Sequence, residues 1–158
     1  MIDSTNDIKD REAINERNQE IVKEFFLDFL NKKNLRKTPE RLAILKEIYL
    51  LDEHFEVETL HRQMNLNSYS VSIATVYNTI DLLLECALIR KHQFGSKQNF
   101  YEKSYFNNQH DHVILTDTGE IKEFCDPRID QIKETLETIF DIQIHDRALY
   151  FYATKKTN

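Results

Sequence analysis

The stretch SIATVYNTIDLLLECALIRKHQFGSKQNFYE, residues 72–102, decides the fold because its periodicity changes near the middle. Its first half has apolar residues at helical spacing, with Ser72 as a candidate N-cap. Its second half consists of two short segments, 88–94 and 98–102, on either side of Gly95-Ser96, which predicts a β-hairpin. A helix followed by a hairpin is the last part of a winged helix-turn-helix, in which the helix enters the DNA major groove and the hairpin lies along the backbone.

Three more helices are predicted before this stretch. Apolar residues recur at three- and four-residue steps from about Ala13 to Lys32. Thr38-Pro39 then supplies a cap followed by proline at the first helical position of a second helix. A short third helix fits Val57 to Met64. Together with the stretch 72–102, these helices form the expected DNA-binding domain.

The rest of the chain predicts a second, smaller unit. Strands are expected at 112–116 and 120–124, followed by a helix from Asp126-Pro127 to about Phe140 and a strand over 142–153. The apolar faces of these elements exceed what so small a unit can cover alone, so we expect a homodimer. The expected fold class is α+β, in three parts: an acidic N-terminal extension at 1–18, a winged helix-turn-helix domain at 19–105, and a small α/β dimerisation and metal-binding domain at 106–158.

Composition excludes several classes of protein. The chain has 158 residues, of which 41% are hydrophobic and 30% charged, so it can form a core. No apolar run approaches the roughly 20 residues of a membrane span, and the use of only two cysteines indicates a reducing cytoplasm. Its two glycines, Gly95 and Gly119, cannot form a glycine-rich phosphate loop, which excludes most nucleotide-dependent enzymes.

The net charge of −6 hides a positive region in the middle of the chain. Residues 32–101 have 10 basic and 8 acidic side chains, whereas the segments on both sides are net acidic. Basic residues cluster near the predicted start of the second helix, at Lys32, Lys33, Arg36, Lys37 and Arg41. A local patch, and not the total charge, decides whether a phosphate backbone is attracted. A solvated helix end would have the same composition.

The segment His110-Asp111-His112 concentrates three side chains that can bind metals. In a strand, the two imidazoles point to one face and the aspartate to the other. Glu102 and Glu123 can add oxygen ligands, and His54 would tie the site to the first domain. Imidazole and carboxylate ligands suit Fe(II), Mn(II), Zn(II) or Ni(II). The other interpretation is a polar linker with two solvated histidines.

Six motifs, in this order, resemble the ferric uptake regulator family over about residues 20–153. They are Thr38-Pro39-x-Arg41, His54-Phe55, Ala74-Thr75-Val76-Tyr77, Phe100-Tyr101-Glu102, His110-Asp111-His112 and Gly119-Glu120-x-x-Glu123-Phe124. The resemblance implies a cytoplasmic dimeric repressor, not an enzyme, with an N-terminal winged helix and a C-terminal dimerisation domain.

The resemblance also implies a set of metal ligands. The regulatory metal site falls on His54, Glu102, His110, His112 and Glu123. A possible second site would use Gln109, Asp111, Asp130 and His145, although the family has histidine in place of this glutamine and glutamate in place of Asp130. The family's structural zinc uses paired Cys-x-x-Cys motifs, and here Leu115 and Thr118 stand at the first pair, so we expect no structural zinc held by four cysteines.

Carried over in the same way, the DNA-contacting positions are Arg36, Ser72, Thr75, Tyr77 and Asn78. Tyr77 would pack on thymine methyl groups, Ser72 and Thr75 would reach phosphates, and Arg36 would enter an A·T-rich minor groove. Asn78 stands where the family commonly has arginine, which removes a charged contact. The alternatives are core packing for Tyr77 and a solvated side chain for Arg36.

The sequence thus predicts a metal-responsive transcriptional repressor that binds palindromic, A·T-rich operator DNA as a dimer. The resemblance makes Fe(II) the expected ion, with Zn(II) or Mn(II) as other candidates. Peroxide-sensing members of the family have aspartate where this chain has Glu102 and Glu123, which favours iron sensing over peroxide sensing. The first alternative is a regulator of the same family that senses zinc, manganese, haem or peroxide. The second is a metallohydrolase, since His/Glu sites can activate water.

Overall fold

The computed structural model describes residues 4–52, 54–95, 98–105 and 110–156, with side chains from residue 15 onward. The chain divides into two compact units, Met1–Asn107 and Asn108–Asn158. Gln109, the predicted linker at 107–108 and Ser96 of the predicted hairpin turn lie outside the described residues. None of the described helices combines the length and apolarity needed to cross a bilayer.

Helix α1 spans Ser4–Lys32 and begins well before Ala13, where the apolar periodicity starts. This N-terminal segment is polar and has no apolar stripe. Lys9, Arg11 and Glu12 are good helix formers, whereas Ser4, Thr5 and Asn6 suit the start of a helix better than its interior. Two residues after the end of the helix, Asn34 has a φ of 54° and a left-handed conformation. The Leu35 amide then donates to the Leu30 carbonyl at 2.9 Å, which closes the last turn.

Three shorter helices follow, and two of them have the predicted caps. Helix α2, Pro39–Leu50, has Thr38 as its N-cap and proline in the first turn. Helix α3 spans Val57–Leu66. Helix α4, Ile73–Glu85, starts at Ser72, whose hydroxyl accepts from the Thr75 amide at 3.1 Å.

The core of the first unit lies among these four helices. Its fully buried side chains come from every helix and include Phe26, Leu30, Ile44, Leu45, Ile48, Leu60, Met64, Val76, Ile80 and Leu83. Their spacing of three and four residues gives each helix one apolar face. This burial leaves the other face of α4 to solvent, including Ser72, Tyr77 and Asn78.

A two-stranded antiparallel hairpin follows α4, as the change of period predicts. Strand β1, Ile89–His92, pairs with strand β2, Phe100–Lys103. Phe55, before α3, forms an isolated bridge to Tyr101, with two N–H···O distances of 2.9 Å. The bridge brings the segment after α2 alongside the hairpin.

The second unit contains a three-stranded sheet and one helix. Strand β3, Asp111–Leu115, is central, with β4, Ile121–Phe124, antiparallel on one side and β5, Tyr150–Ala153, parallel on the other. Helix α5, Pro127–Phe140, lies between β4 and β5 in the chain and is capped by Asp126. The aspartate accepts from Arg128, which lowers the pKa of its carboxyl to about 2.

The last strand is shorter than the sequence predicts. A strand over 142–153 was expected, whereas only Tyr150–Ala153 pairs with β3. The residues at the start of the predicted strand have partners outside β3. The Ile142 and Ile144 amides instead donate to Glu137, through its carbonyl and its carboxylate.

Helix α5 buries no residue within the chain, although it has an apolar face. Ile132, Ile139 and Phe140 are each more than half exposed, and Phe151 and Tyr152 of β5 are half exposed. Large exposed apolar side chains grouped on one helix face are typical of an interaction site.

Candidate metal centre and DNA-binding surface

In the first unit, the carboxylate of Glu102 lies between two imidazoles. His92 Nε2 is 2.7 Å from one carboxylate oxygen, and His54 Nε2 is 3.2 Å from the other. The Glu102 side chain is 6% exposed and both histidines are about as deeply buried. Because burying an ionised carboxylate without partners is costly, the two imidazoles are what allow Glu102 to lie there.

Backbone pairing positions all three of these side chains. In the β1–β2 register His92 pairs with Phe100, two residues before Glu102, so the histidine and the glutamate share one face of the hairpin. His54 precedes Phe55, whose bridge to Tyr101 places it beside the residue before Glu102. The arrangement thus depends on the hairpin and the bridge together.

In the second unit, His110, His112 and Glu123 form another group. The imidazoles of His110 and His112 face the same side of the strand, with ring centroids 4.9 Å apart. His112 pairs with Glu123 in the β3–β4 register, and His110 Nε2 lies 3.5 Å from the Glu123 carboxylate. His112 is buried, whereas Glu123 is half exposed.

The five side chains predicted as regulatory ligands thus fall into two groups, one in each unit. Each group combines imidazole nitrogen with carboxylate oxygen, the donor set suited to Fe(II), Mn(II) or Zn(II). Cys86 is partly buried in the first unit and Cys125 is exposed in the second, and neither belongs to these groups. The donor chemistry therefore fits a divalent ion without thiolate ligands.

The described side chains that were predicted to bind a second metal do not form a group like these two. Asp111 and Asp130 both contact Arg147, which the sequence did not single out. His145 is exposed, and Asp111, Asp130 and His145 do not converge as a metal-capable group in the described part of the chain. Gln109 falls outside the described residues.

The predicted DNA-contacting residues of α4 lie on its solvent side. Ser72, Tyr77 and Asn78 are exposed, and Thr75 is partly exposed. Tyr77 is 41% exposed, so it is not a core residue of the helix. Its hydroxyl donates to the Glu58 carboxylate on α3, which raises the pKa of Tyr77 and lowers that of Glu58. The phenol therefore stays protonated and is held beside a carboxylate.

The basic cluster before α2 is also on the surface. Arg36 is exposed, and its backbone carbonyl accepts from the Arg41 guanidinium at 2.5 Å. Lys33 is paired with Glu85 at the end of α4, whereas Lys32 pairs with Asp28 of its own helix. These ion pairs reduce the charge that Lys32 and Lys33 offer to DNA, whereas Arg36 and Lys37 are exposed.

Two residues at these sites were not predicted from the sequence. His92 lies in the first strand of the predicted hairpin, and a defined strand register would have placed it near Glu102. Arg147 lies in a segment expected to be a strand, and no local pattern links it to Asp111, 36 positions away. Only the tertiary structure could reveal the contact between Arg147 and Asp111.

Comparison with known protein sequences gives a family match over most of the chain. The sequence model of the ferric uptake regulator family matches residues 32–152. A ferric uptake regulation protein of Campylobacter jejuni is 33% identical over 114 residues, which cover 71% of this chain and 72% of that protein.

Solved structures of ferric uptake and peroxide stress regulators have a similar fold. The ferric uptake regulator of Pseudomonas aeruginosa, determined with manganese, has a TM-score of 0.72 at 26% identity, covering 81% of this chain and 96% of that chain. The Campylobacter jejuni peroxide stress regulator has a TM-score of 0.65 at 26% identity, covering 83% and 96%. The α+β architecture predicted from the sequence is confirmed by these similarities.

Proposed function

Because this chain belongs to the ferric uptake regulator family, we propose that it is an Fe(II)-responsive repressor that binds palindromic, A·T-rich operator DNA as a homodimer. Proteins of this family are transcriptional regulators and not enzymes, so the metallohydrolase interpretation is wrong. Such a regulator acts where the DNA is, and we place it in the cytoplasm.

The observation that carries the proposal is the buried Glu102 carboxylate with an imidazole on each oxygen. As the family resemblance implies, His54 and Glu102 would share the ligation of a divalent ion with His110, His112 and Glu123. The ion would supply positive charge to offset the like charges of Glu102 and Glu123. Its binding would favour the conformation that fits one operator.

The choice of Fe(II) rests on the family resemblance and on the identity of the two carboxylates. Imidazole and carboxylate donors accept Fe(II), Mn(II) and Zn(II), and ligand type alone does not separate them. Both carboxylates are glutamate, where the resemblance implies aspartate for peroxide sensing. A sensor of zinc, manganese, haem or peroxide is the second candidate, and the similarity to a peroxide stress regulator favours testing peroxide.

Homodimerisation is supported by the uncovered apolar face of α5. Ile132, Ile139 and Phe140 would each be buried against a second copy of the chain, as a twofold interface requires. Two copies related in this way present two α4 helices, which matches a palindromic operator. In each copy Tyr77 would pack on thymine methyl groups, Ser72 and Thr75 would reach phosphates, and Arg36 would enter the adjacent minor groove. Asn78 would lack the charged contact of the arginine that the family commonly has there.

Metal-dependent DNA binding tests the proposal directly. We expect the wild-type protein to shift a palindromic A·T-rich duplex only when Fe(II) is added under anaerobic conditions. The variant His110→Ala, His112→Ala should lose at least about tenfold of the metal-stimulated affinity, as expected when metal ligands are removed. Its circular dichroism spectrum should remain that of the wild type.

The matched control is His61→Gln, at a histidine whose ring nitrogen contacts the Val71 carbonyl at 2.9 Å, away from both ligand groups. This variant should retain metal stimulation. Undiminished stimulation in the double variant would contradict the assigned ligands, whereas stronger stimulation by Zn(II) or Mn(II) than by Fe(II) would favour the second candidate.

A further inference from the structure

One guanidinium and two carboxylates meet in the second unit. Arg147 Nη2 lies 3.2 Å from Asp111 Oδ2, and Nη1 lies 2.5 Å from Asp130 Oδ1. The Asp111 side chain is fully buried, Arg147 is 14% exposed and Asp130 is largely exposed. Asp111 opens β3, Asp130 lies in the first turn of α5, and Arg147 precedes β5. The guanidinium therefore links three elements.

Because the Asp111 side chain is buried, its contact with Arg147 matters for stability. An ionised carboxylate removed from water needs a cation or several hydrogen bonds, and removing one partner of a buried ion pair is strongly destabilising. Asp111 Oδ1 is buried and accepts no hydrogen bond from the described residues. A guanidinium can donate to both oxygens of one carboxylate side by side, so Arg147 is suited to serve Oδ1 as well.

The same contacts decide whether a second metal ion fits. Such an ion would need the oxygens of Asp111 and Asp130, which are the partners of Arg147. Arginine stays charged at all relevant pH values, so an ion at these oxygens would have to expel or face a positive group. His145 does not converge with the two aspartates in the described part of the chain. The residues present do not fit a second metal.

We propose that Arg147 is a built-in cation that takes the place of a second metal, so that each chain binds one regulatory ion. Asp111 stands between His110 and His112, and the Leu149 carbonyl accepts from the His112 amide at 3.0 Å. By pinning Asp111, Arg147 holds the start of β3 and thereby orients both imidazoles. It is a positioning residue for the regulatory site, and this part of the inference rests on the proposed function.

Counting bound ions tests whether each chain binds one regulatory ion. Free Mn(II) is measured by electron paramagnetic resonance during titration of the purified full-length protein. We expect one Mn(II) per chain in the wild type and none in His110→Ala, His112→Ala. An ion that remains in this double variant and is lost when Asp111→Asn is added would overturn the proposal. A wild type that binds no Mn(II) would contradict the proposed regulatory site but would support the absence of a second one.

The positioning role is tested at Arg147 itself. Arg147→Met should weaken Mn(II) binding at the regulatory site at least about tenfold. Arg147→Lys should recover part of the loss, because an ammonium keeps the charge without the planar fork. The control is Arg128→Met, which removes an exposed guanidinium paired with Asp126 at the start of α5. Equal Mn(II) affinity in Arg147→Met and Arg128→Met would overturn the role.

A stability measurement separates this role from general unfolding. The metal-free Arg147→Met protein should melt at a lower temperature than the wild type because Asp111 is left buried without a cation. Adding Asp111→Leu to Arg147→Met should restore much of the melting temperature. A double variant less stable than Arg147→Met would show that the buried charge is not what Arg147 compensates.

Discussion

Glu102 and Asp111 are two buried carboxylates, and their partners give them different chemistry. Glu102 is held by His54 and His92, which can lose a proton and offer nitrogen lone pairs to a metal ion. Asp111 is held by Arg147, which has donors only and keeps its charge. A metal ion can therefore enter the first cluster, while the second already contains its cation.

Tyr77 provides a test of DNA recognition. If its ring packs on thymine methyl groups, Tyr77→Ala should reduce discrimination between operator and scrambled DNA by about tenfold, the usual range for one base contact. Tyr77→Phe keeps the ring and loses only the hydrogen bond to Glu58, so its discrimination should match the wild type. Fluorescence anisotropy with both duplexes at fixed salt measures the ratio. Equal losses of affinity for both duplexes in Tyr77→Ala would indicate a packing role.

The ends of α1 and α4 determine where the next segments of the chain begin. Helix α4 stops where Ala87 takes a φ of 57°, and the Leu88 amide then donates to the Leu83 carbonyl at 2.9 Å. This closed turn leads into β1 and so fixes where the hairpin begins. The α1 helix ends in the same way at Asn34, a residue that tolerates left-handed backbone better than alanine does.

The left-handed alanine predicts a stabilising substitution. Ala87→Gly should raise the free energy of unfolding by about 0.5–1 kcal/mol, because glycine avoids the steric cost of this conformation but gives the unfolded chain more freedom. Ala43→Gly, in the middle of α2, is the control and should lower stability by about 1 kcal/mol. Urea unfolding followed by circular dichroism measures both. A destabilised Ala87→Gly protein would show that the turn carries no strain.

The apolar face of α5 is exposed in the single chain, although burial would stabilise it. Ile132 is 58% exposed, Ile139 65% and Phe140 63%. Exposed side chains of this size lose the roughly 25 cal/mol per Å² that burial would contribute. A second copy of the chain that covered this face would recover that free energy.

Ile132→Glu should therefore convert the proposed dimer to a monomer, because a charge in an apolar interface is costly. Thr138→Asp adds a charge on the opposite side of α5 and should leave the dimer intact. Removing the regulatory ion with a chelator should abolish DNA binding without splitting the dimer, since no ligand comes from this face. Analytical ultracentrifugation measures all three. Dimeric Ile132→Glu protein, or a monomer after chelation, would contradict the proposed interface.

Local rules in the sequence account for most of the fold. The caps at Thr38, Ser72 and Asp126 and the change from helical spacing to hairpin define elements that the structure contains. Strand alternation likewise predicts that His110 and His112 share one face. These features depend on residues within a few positions of one another, which is why the sequence alone determines them.

Tertiary structure decided the features that depend on distant residues. Strand β5 covers only Tyr150–Ala153, and the Ile142 and Ile144 amides donate to Glu137 of α5 instead. The alternating pattern of 142–153 does not reveal these contacts. His92 joins Glu102 through the hairpin register, and Arg147 reaches Asp111 and Asp130 from separate elements. Which cation neutralises a buried carboxylate is settled by packing in three dimensions, since charge compensation depends on distance in space and not along the chain.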